Sequence, residues 1–236
     1  PIQIPNTNQP PLQAHAEPSR QPPKMPSQSN MDPDAKEAST SSPPPTSPLG
    51  TPSRHTTTHN PTTHLSVFAP ATTLPPTLTP YGTVGMVVFD AYKTFSSPLD
   101  MTAEADIAAL KQHPDGPAPA GGVWFPGVNE TVLRYCDWAP NSTLAFHRTE
   151  TIDLGVVTHG TMELTLDSGE TRLLRIGDTL VQRGTLHAWR NPSATEWARV
   201  VFFLLGAPPV RVGGEEQAEY LPWQDKDKAQ GAEESG

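Results

Sequence analysis

His147-Arg-Thr-Glu-Thr-Ile-Asp153-Leu-Gly-Val-Val-Thr-His-Gly160 and, after a polar hairpin, Gly177-Asp-Thr-Leu-Val-Gln-Arg-Gly184-Thr-Leu-His187-Ala-Trp-Arg-Asn191 decide how this chain folds. Both segments are rich in β-branched residues and punctuated by glycine, which is the pattern of short strands joined by tight turns. Successive strand side chains face opposite sides, so each segment can send a histidine or a carboxylate inward. Such residues converge when strands close into a barrel.

Working outward, the strand-like runs come in quick succession: 123–125, 131–138, 144–148, 153–158, 162–166, 171–175, 179–182, 187–190 and 198–205. Asp167-Ser-Gly169 marks a tight hairpin and Asn191-Pro-Ser193 a bend. Many short strands at even spacing predict an all-β sandwich or barrel.

The two quoted segments resemble the paired motifs of the cupins. His147, Asp153 and Gly160 match the first motif, and Gly177, Gly184, His187 and Asn191 match the second. Three positions depart from the family pattern. Thr149 replaces the second motif histidine, Asp153 replaces the usual Glu, and Gln182 stands near the usual proline. The resemblance covers roughly residues 120–206 and implies a jelly-roll β-barrel with one or two short flanking helices. More narrowly, His-Arg-Thr, Asp-x-Gly-Val-Val and Gln-Arg-Gly-Thr-x-His-Ala-Trp-x-Asn resemble single-domain fungal cupins found beside polyketide and other secondary-metabolite genes.

That resemblance gives three candidate metal ligands, His147, Asp153 and His187. Two imidazoles and one carboxylate are the facial-triad set that suits Fe(II) and leaves positions open for oxygen or substrate; Zn, Ni and Mn also accept it. The implied function is a metal-dependent oxidoreductase, or else a decarboxylase or dehydratase, acting on an aromatic or polyketide-like compound. The alternative is a non-catalytic small-molecule binding module, because Thr149 removes one ligand of the family set. Trp189, two positions from His187, shares its face and offers an aromatic wall. Arg134 or Gln182 could hold a carboxylate or phenol oxygen, and Thr149 completes the expected pocket. Glu150 is a neighbouring acid, read as solvent-facing, and His159 is read as a surface residue. Cys136 is expected to be a core residue. No nucleotide cofactor is expected, since the chain has no phosphate loop and no Gly-x-Gly-x-x-Gly strand–helix unit.

The bulk numbers fit one domain. Of 29 prolines in 236 residues, nineteen fall in the first eighty, leaving about 150 residues for one barrel. Residues 1–52, almost without aromatic or branched apolar side chains, are expected to form a disordered Pro/Ser/Thr-rich tail. Residues 53–223 form the expected domain and 224–236 a loose charged end. Ser41 to Pro48 is compatible with a polyproline II ligand or a plain linker. The chain begins at Pro1, and Met31 is a candidate true start.

A net charge of -9 disfavours a nucleic-acid partner. No stretch is long and apolar enough for a membrane helix, and no signal core is visible, so the expected location is cytoplasmic. Asn129-Glu-Thr131 and Asn141-Ser-Thr143 fit glycosylation sequons and are read as chance occurrences in loops. The resemblance implies a homodimer as the default assembly.

Elsewhere, His64 to Phe68 and Gly85 to Tyr92 read as strands. Thr102 is expected to cap a helix over 103–112, stopped by His113-Pro-Asp-Gly116. Gly214 to Tyr220 is expected to be a last helical turn, packed by Tyr220, Leu221 and Trp223. His55, His59 and His64 lie in a Thr/Pro-rich stretch that supplies no helix to align them as ligands.

Overall fold

The computed structural model describes residues 46–75, 77–83, 85–113 and 123–223. The expected tail therefore lies outside the described residues up to position 45, as do the start of the proline run and all of the charged end from 224. Residues 46–52 are described, and there the Gly50 carbonyl accepts a 2.7 Å hydrogen bond from Arg199 Nη2.

Fourteen strands and one α-helix follow one another along the described residues. Six strands form the larger sheet: β3 (Tyr81–Thr83), β4 (Met86–Thr94), β5 (Thr131–Trp138), β12 (Ala198–Gly206), β7 (Thr151–His159) and β10 (Thr179–Arg183), adjacent in that order. Four form the smaller sheet, in the order β6 (Thr143–His147), β11 (His187–Arg190), β8 (Thr161–Leu166) and β9 (Thr171–Arg175). Neighbours in both sheets are antiparallel. One core joins the two inner faces: Val132, Cys136, Trp138, Val157, Val200, Phe202 and Leu204 meet Met162, Leu164 and Trp189. The protein is an all-β jelly roll, its crossing strands distributing the chain between two stacked sheets.

Strand register places the inward residues in rows. Arg134 lies opposite Phe202, and Phe202 opposite Gly155. One row along, Val132, Leu204, Asp153 and Gln182 stand side by side. Gly155 leaves room for the aromatic row, since a Cβ there would lie 2.8 Å from Phe202 Cε1. Asn191 stitches the end of β11 to its surroundings. It is fully buried, and its Nδ2 donates to the carbonyls of Trp138, Ala139 and Glu196 at 3.1, 3.1 and 2.8 Å.

β4 is buried on both faces, which explains its nearly continuous apolar sequence. Leu78, Val87, Phe89 and Ala91 pack together on its outer side. Beyond them Ile107 and Leu110 of α1 (Ala105–Gln112) meet Leu74, Tyr92 and Phe95. Among the described residues, the outer face of β10, β7 and β12 has no such cover. Val181, Leu154 and Phe203 form one cross-strand row there, and are 54%, 38% and 50% exposed.

Four expectations need correction. The α-helix starts at Ala105, after a 3-10 turn over Thr102–Glu104, because Ala103 and Glu104 take positive φ values of 50° and 60°. Thr102 makes no side-chain cap; its amide instead donates to Asp100 Oδ1 at 2.8 Å. Residues 123–125 are not a strand, since their backbone pairs with no neighbour while their side chains pack on the core. Residues 214–220 form no helical turn either. β13 (Val210–Val212) pairs with β14 (Glu215–Gln217) as a hairpin, turning at Gly213 and Gly214, whose φ values of 61° and 90° suit glycine. Finally, the strand over 64–68 begins only at Ser66, because His64 has φ 58°; β2 (Ser66–Phe68) pairs with β1 (Thr57–His59).

Candidate functional site

Between the two sheets lies a cavity of about 400 Å3. Its walls are mainly apolar, with aromatic rings from Trp138, Phe202 and Tyr81 of the larger sheet, Trp189 of the smaller one, and Trp223 after the last hairpin. Five of the expected site residues on this wall are polar or charged: His147, Thr149, Asp153, His187 and Arg134.

His147 ends β6 and His187 begins β11, and the two are paired in register. Their rings lie 4.3 Å apart between centroids. His147 Nδ1 is 2.9 Å from the Ala145 carbonyl and His187 Nδ1 is 2.8 Å from that of Thr185. A carbonyl only accepts, so each Nδ1 carries the proton and each Nε2 is left with a bare lone pair. Burial lowers the pKa of both rings. For His187 burial and the neighbouring His147 bring it down to about 3, against the opposing hydrogen bond to Thr185. Both imidazoles are therefore neutral at physiological pH.

Asp153 comes from β7 of the facing sheet. It is 7% exposed, and its Oδ1 has no hydrogen-bond partner among the described residues. Burial pushes its carboxyl up to about 6, against the Thr151 hydrogen bond and the Arg134 charge. Thr149, where the cupin pattern has its second motif histidine, lines the cavity and shares a 2.7 Å hydrogen bond with Thr151.

Trp189 stands edge-on to His187, with centroids 6.2 Å apart, and also meets Trp138 and Phe202. Gln182 is buried beside Asp153, but is absent from the cavity wall; its Nε2 is bonded to Thr185. Glu150 lies outside the cavity, where Oε1 accepts from the Glu219 amide at 3.2 Å. His159 is exposed. Cys136 is a buried core thiol, pushed up to about 12 by burial, which leaves it unreactive. His113 stacks on Phe95 at 4.1 Å. The sequons place Asn129 and Asn141 in turns with positive φ.

Two parts of the wall escaped the sequence reading. Trp223 packs on His147 with centroids 5.2 Å apart, held there by mutual Arg148–Tyr220 backbone hydrogen bonds of 2.8 and 2.9 Å. It lies beyond the last strand of the barrel, so no periodicity pointed to it. Behind Arg134 stands Asp90, paired with it across β4 and β5. The signal was present there: Arg134, Cys136 and Trp138 alternate on one face of β5, so a charged group on that core face needed a partner.

No family model matches the chain. Phomopsin biosynthesis cluster protein D of Diaporthe leptostromiformis is 43% identical over 167 residues, covering 70% of this chain and 84% of the relative. Oryzines biosynthesis cluster protein J of Aspergillus oryzae is 42% identical over 138 residues, covering 58% and 74%. Cupin-domain-containing oxidoreductase srdB of Neurospora crassa is 35% identical over 125 residues, covering 53% and 59%. The chain belongs to this cupin family.

In this cupin the donor chemistry fits a divalent transition metal at two positions, the bare Nε2 atoms of His147 and His187. A hydrogen bond from Nδ1 to a carbonyl is the usual way such ligands are oriented. Asp153 offers an orphaned oxygen of the right kind from the opposite wall. Among the described residues, however, no three His, Cys, Asp or Glu side chains are grouped closely enough to hold one ion. No helix among the described residues is long and apolar enough to cross a membrane.

Proposed function

We propose that this cupin is a small-molecule enzyme whose reaction takes place in the cavity between the sheets, on an aromatic or polyketide-like compound. The observation that carries the reading is the pair of neutral, buried histidines presenting bare nitrogens in a mainly apolar, partly aromatic cavity of about 400 Å3. A volume of that order encloses a molecule of a few fused rings.

In this reading His147 and His187 would hold a divalent transition metal through their bare Nε2 atoms, while Asp153, the third candidate, stands apart from them on the facing sheet. Fe(II) is favoured, and Zn, Ni or Mn are compatible. When bound, the metal supplies oxygen activation or Lewis-acid polarisation. The chain's own residues do the rest. Trp138, Trp189 and Phe202 hold a flat ring and exclude water, and the backbone carbonyls of Ala145 and Thr185 fix the imidazole tautomers. The relatives named as cupin-domain-containing oxidoreductases favour redox chemistry over decarboxylation or dehydration.

A second reading is a metal-free binding module. Thr149 in place of a histidine and the separation of Asp153 from the histidine pair favour it. The experiment is a panel of hydroxylated aromatic carbonyl compounds, incubated with Fe(II)-loaded protein in air and followed by mass spectrometry. Turnover in the wild type that His187→Ala abolishes supports the enzyme. Tight binding of panel members, without turnover and with His187→Ala only weakening it, supports the module.

A further inference from the structure

The wall of the cavity opposite the histidines carries a buried charge cluster that the reaction above does not use. Asp90, Arg134 and Lys93 are 0%, 3% and 4% exposed. Asp90 is its hub: Oδ1 accepts from Arg134 Nε at 2.6 Å, and Oδ2 accepts from Arg134 Nη2 at 3.2 Å and from the Tyr81 hydroxyl at 2.9 Å. Lys93 Nζ lies 3.3 Å from the same Oδ2. One carboxylate thus faces two cations in direct contact, and the next acid, Asp153, lies within electrostatic reach of Arg134 but makes no ion pair with it among the described residues. A buried cation whose charge is met only in part gains from a ligand anion that reaches it.

Arg134 is the member that reaches the cavity. Its Nη2 also donates to the Trp124 carbonyl at 2.6 Å, so Nε and Nη2 are both engaged. Nη1 makes no hydrogen bond among the described residues. The guanidinium also lies 5.6 Å from the centroid of the Phe125 ring, another wall residue. Asp153 stands on β7, separated from Arg134 by β12, and no ion pair joins the two among the described residues.

We propose that Arg134 Nη1 and the positive cluster behind it form an anion subsite, which holds an oxyanion borne by the aromatic ring of the ligand: a carboxylate, phenolate or enolate oxygen. The proposal rests on the reading of the cavity as a small-molecule site. Asp90 and Trp124 fix the guanidinium before the ligand arrives, so little ordering remains to be done on binding. Lys93 supplies the excess charge without touching the cavity. With its acidic end on Arg134 of β5, the ligand extends across the cavity toward the facing sheet, where the histidines meet the part that reacts.

The test compares 2-naphthoate with its neutral isostere 2-naphthamide, titrated into the full chain and followed by tryptophan fluorescence. Wild type is expected to bind the acid about tenfold more tightly than the amide. Arg134→Lys, which keeps a charge but loses the fork, is expected to abolish that preference. Should Arg134→Lys fail to fold by near-ultraviolet circular dichroism, Lys93→Met carries the test. Met keeps most of the stem and leaves a neutral Arg134–Asp90 pair, and the preference is expected to fall at least threefold. Equal binding of acid and amide by wild type overturns the subsite and leaves the small-molecule reading standing. A preference unchanged in the folded variants also overturns it. Failure of wild type to bind either probe overturns the small-molecule reading itself, and the subsite with it.

Discussion

Protonating His187 should cost stability in a pH window that the structure defines. Above 6.5, its ordinary value, His187 is neutral in both folded and unfolded chains, so it makes no difference. Below 6.5 the unfolded chain takes up a proton that the folded chain refuses until about pH 3, because burial and His147 disfavour the charge. Stability therefore falls as pH falls through this window, by about 1.4 kcal/mol per pH unit, or about 3 kcal/mol between pH 6.5 and pH 4. Asp153 acts in the opposite sense. Its carboxyl keeps a proton up to about pH 6, whereas the unfolded chain releases it near 3.8, so between these values Asp153 adds stability as pH falls. The two contributions partly cancel in the wild type, and a single-site comparison separates them. His187→Gln cannot be protonated and leaves Asp153 in place. Urea unfolding of both proteins in EDTA at pH 7, 6, 5 and 4 should show the variant gaining on the wild type by about 3 kcal/mol over the range. A difference that stays flat from pH 7 to pH 4 would mean that His187 titrates normally, and would refute its burial as a neutral base.

Other parts of the structure give shorter tests. Asn191→Ala removes the donor shared by three buried or partly buried carbonyls, and should cost about 2–3 kcal/mol in urea unfolding. Trp223→Ala opens the wall beside His147, and should weaken naphthoate binding several-fold while leaving the melting temperature nearly unchanged, since Trp223 is only half-buried. For the homodimer that the cupin resemblance implies, the exposed row Val181, Leu154 and Phe203 is the face to examine. Sedimentation velocity should show a dimer that Phe203→Glu converts to monomer, whereas a wild-type monomer at micromolar concentration would exclude that assembly.

The barrel was legible because its strands obey local rules. In β5, β9 and β11 the β-branched and aromatic content, with glycine and Asx turns at their ends, fixed the limits to the residue. The two histidines were legible through their resemblance to the paired cupin motifs, and the register of β6 against β11 sets them opposite one another. Whatever depends on distant partners was harder to read. Residues 123–125 have the side chains of a strand but no edge to pair with, and residues 210–217 have a polar sequence that glycine turns into a hairpin. Thr102 has the right chemistry for a cap, and lost its helix start to two residues in the left-handed region. The separation of Asp153 from the histidines follows from its place on the facing sheet, which sequence spacing does not reveal. The inward place of Arg134 on β5 signalled that it needed a partner, but that the partner is Asp90 follows from the register of β4 against β5, which local sequence does not mark.

The most direct measurement is the metal content of protein purified without a histidine tag, read by plasma mass spectrometry for wild type, His147→Ala and His187→Ala. The proposed site requires about one equivalent of iron or another divalent transition metal per chain, lost in both variants while each remains folded. Wild-type protein that takes up no metal after reconstitution, or variants that retain a full equivalent, would contradict it.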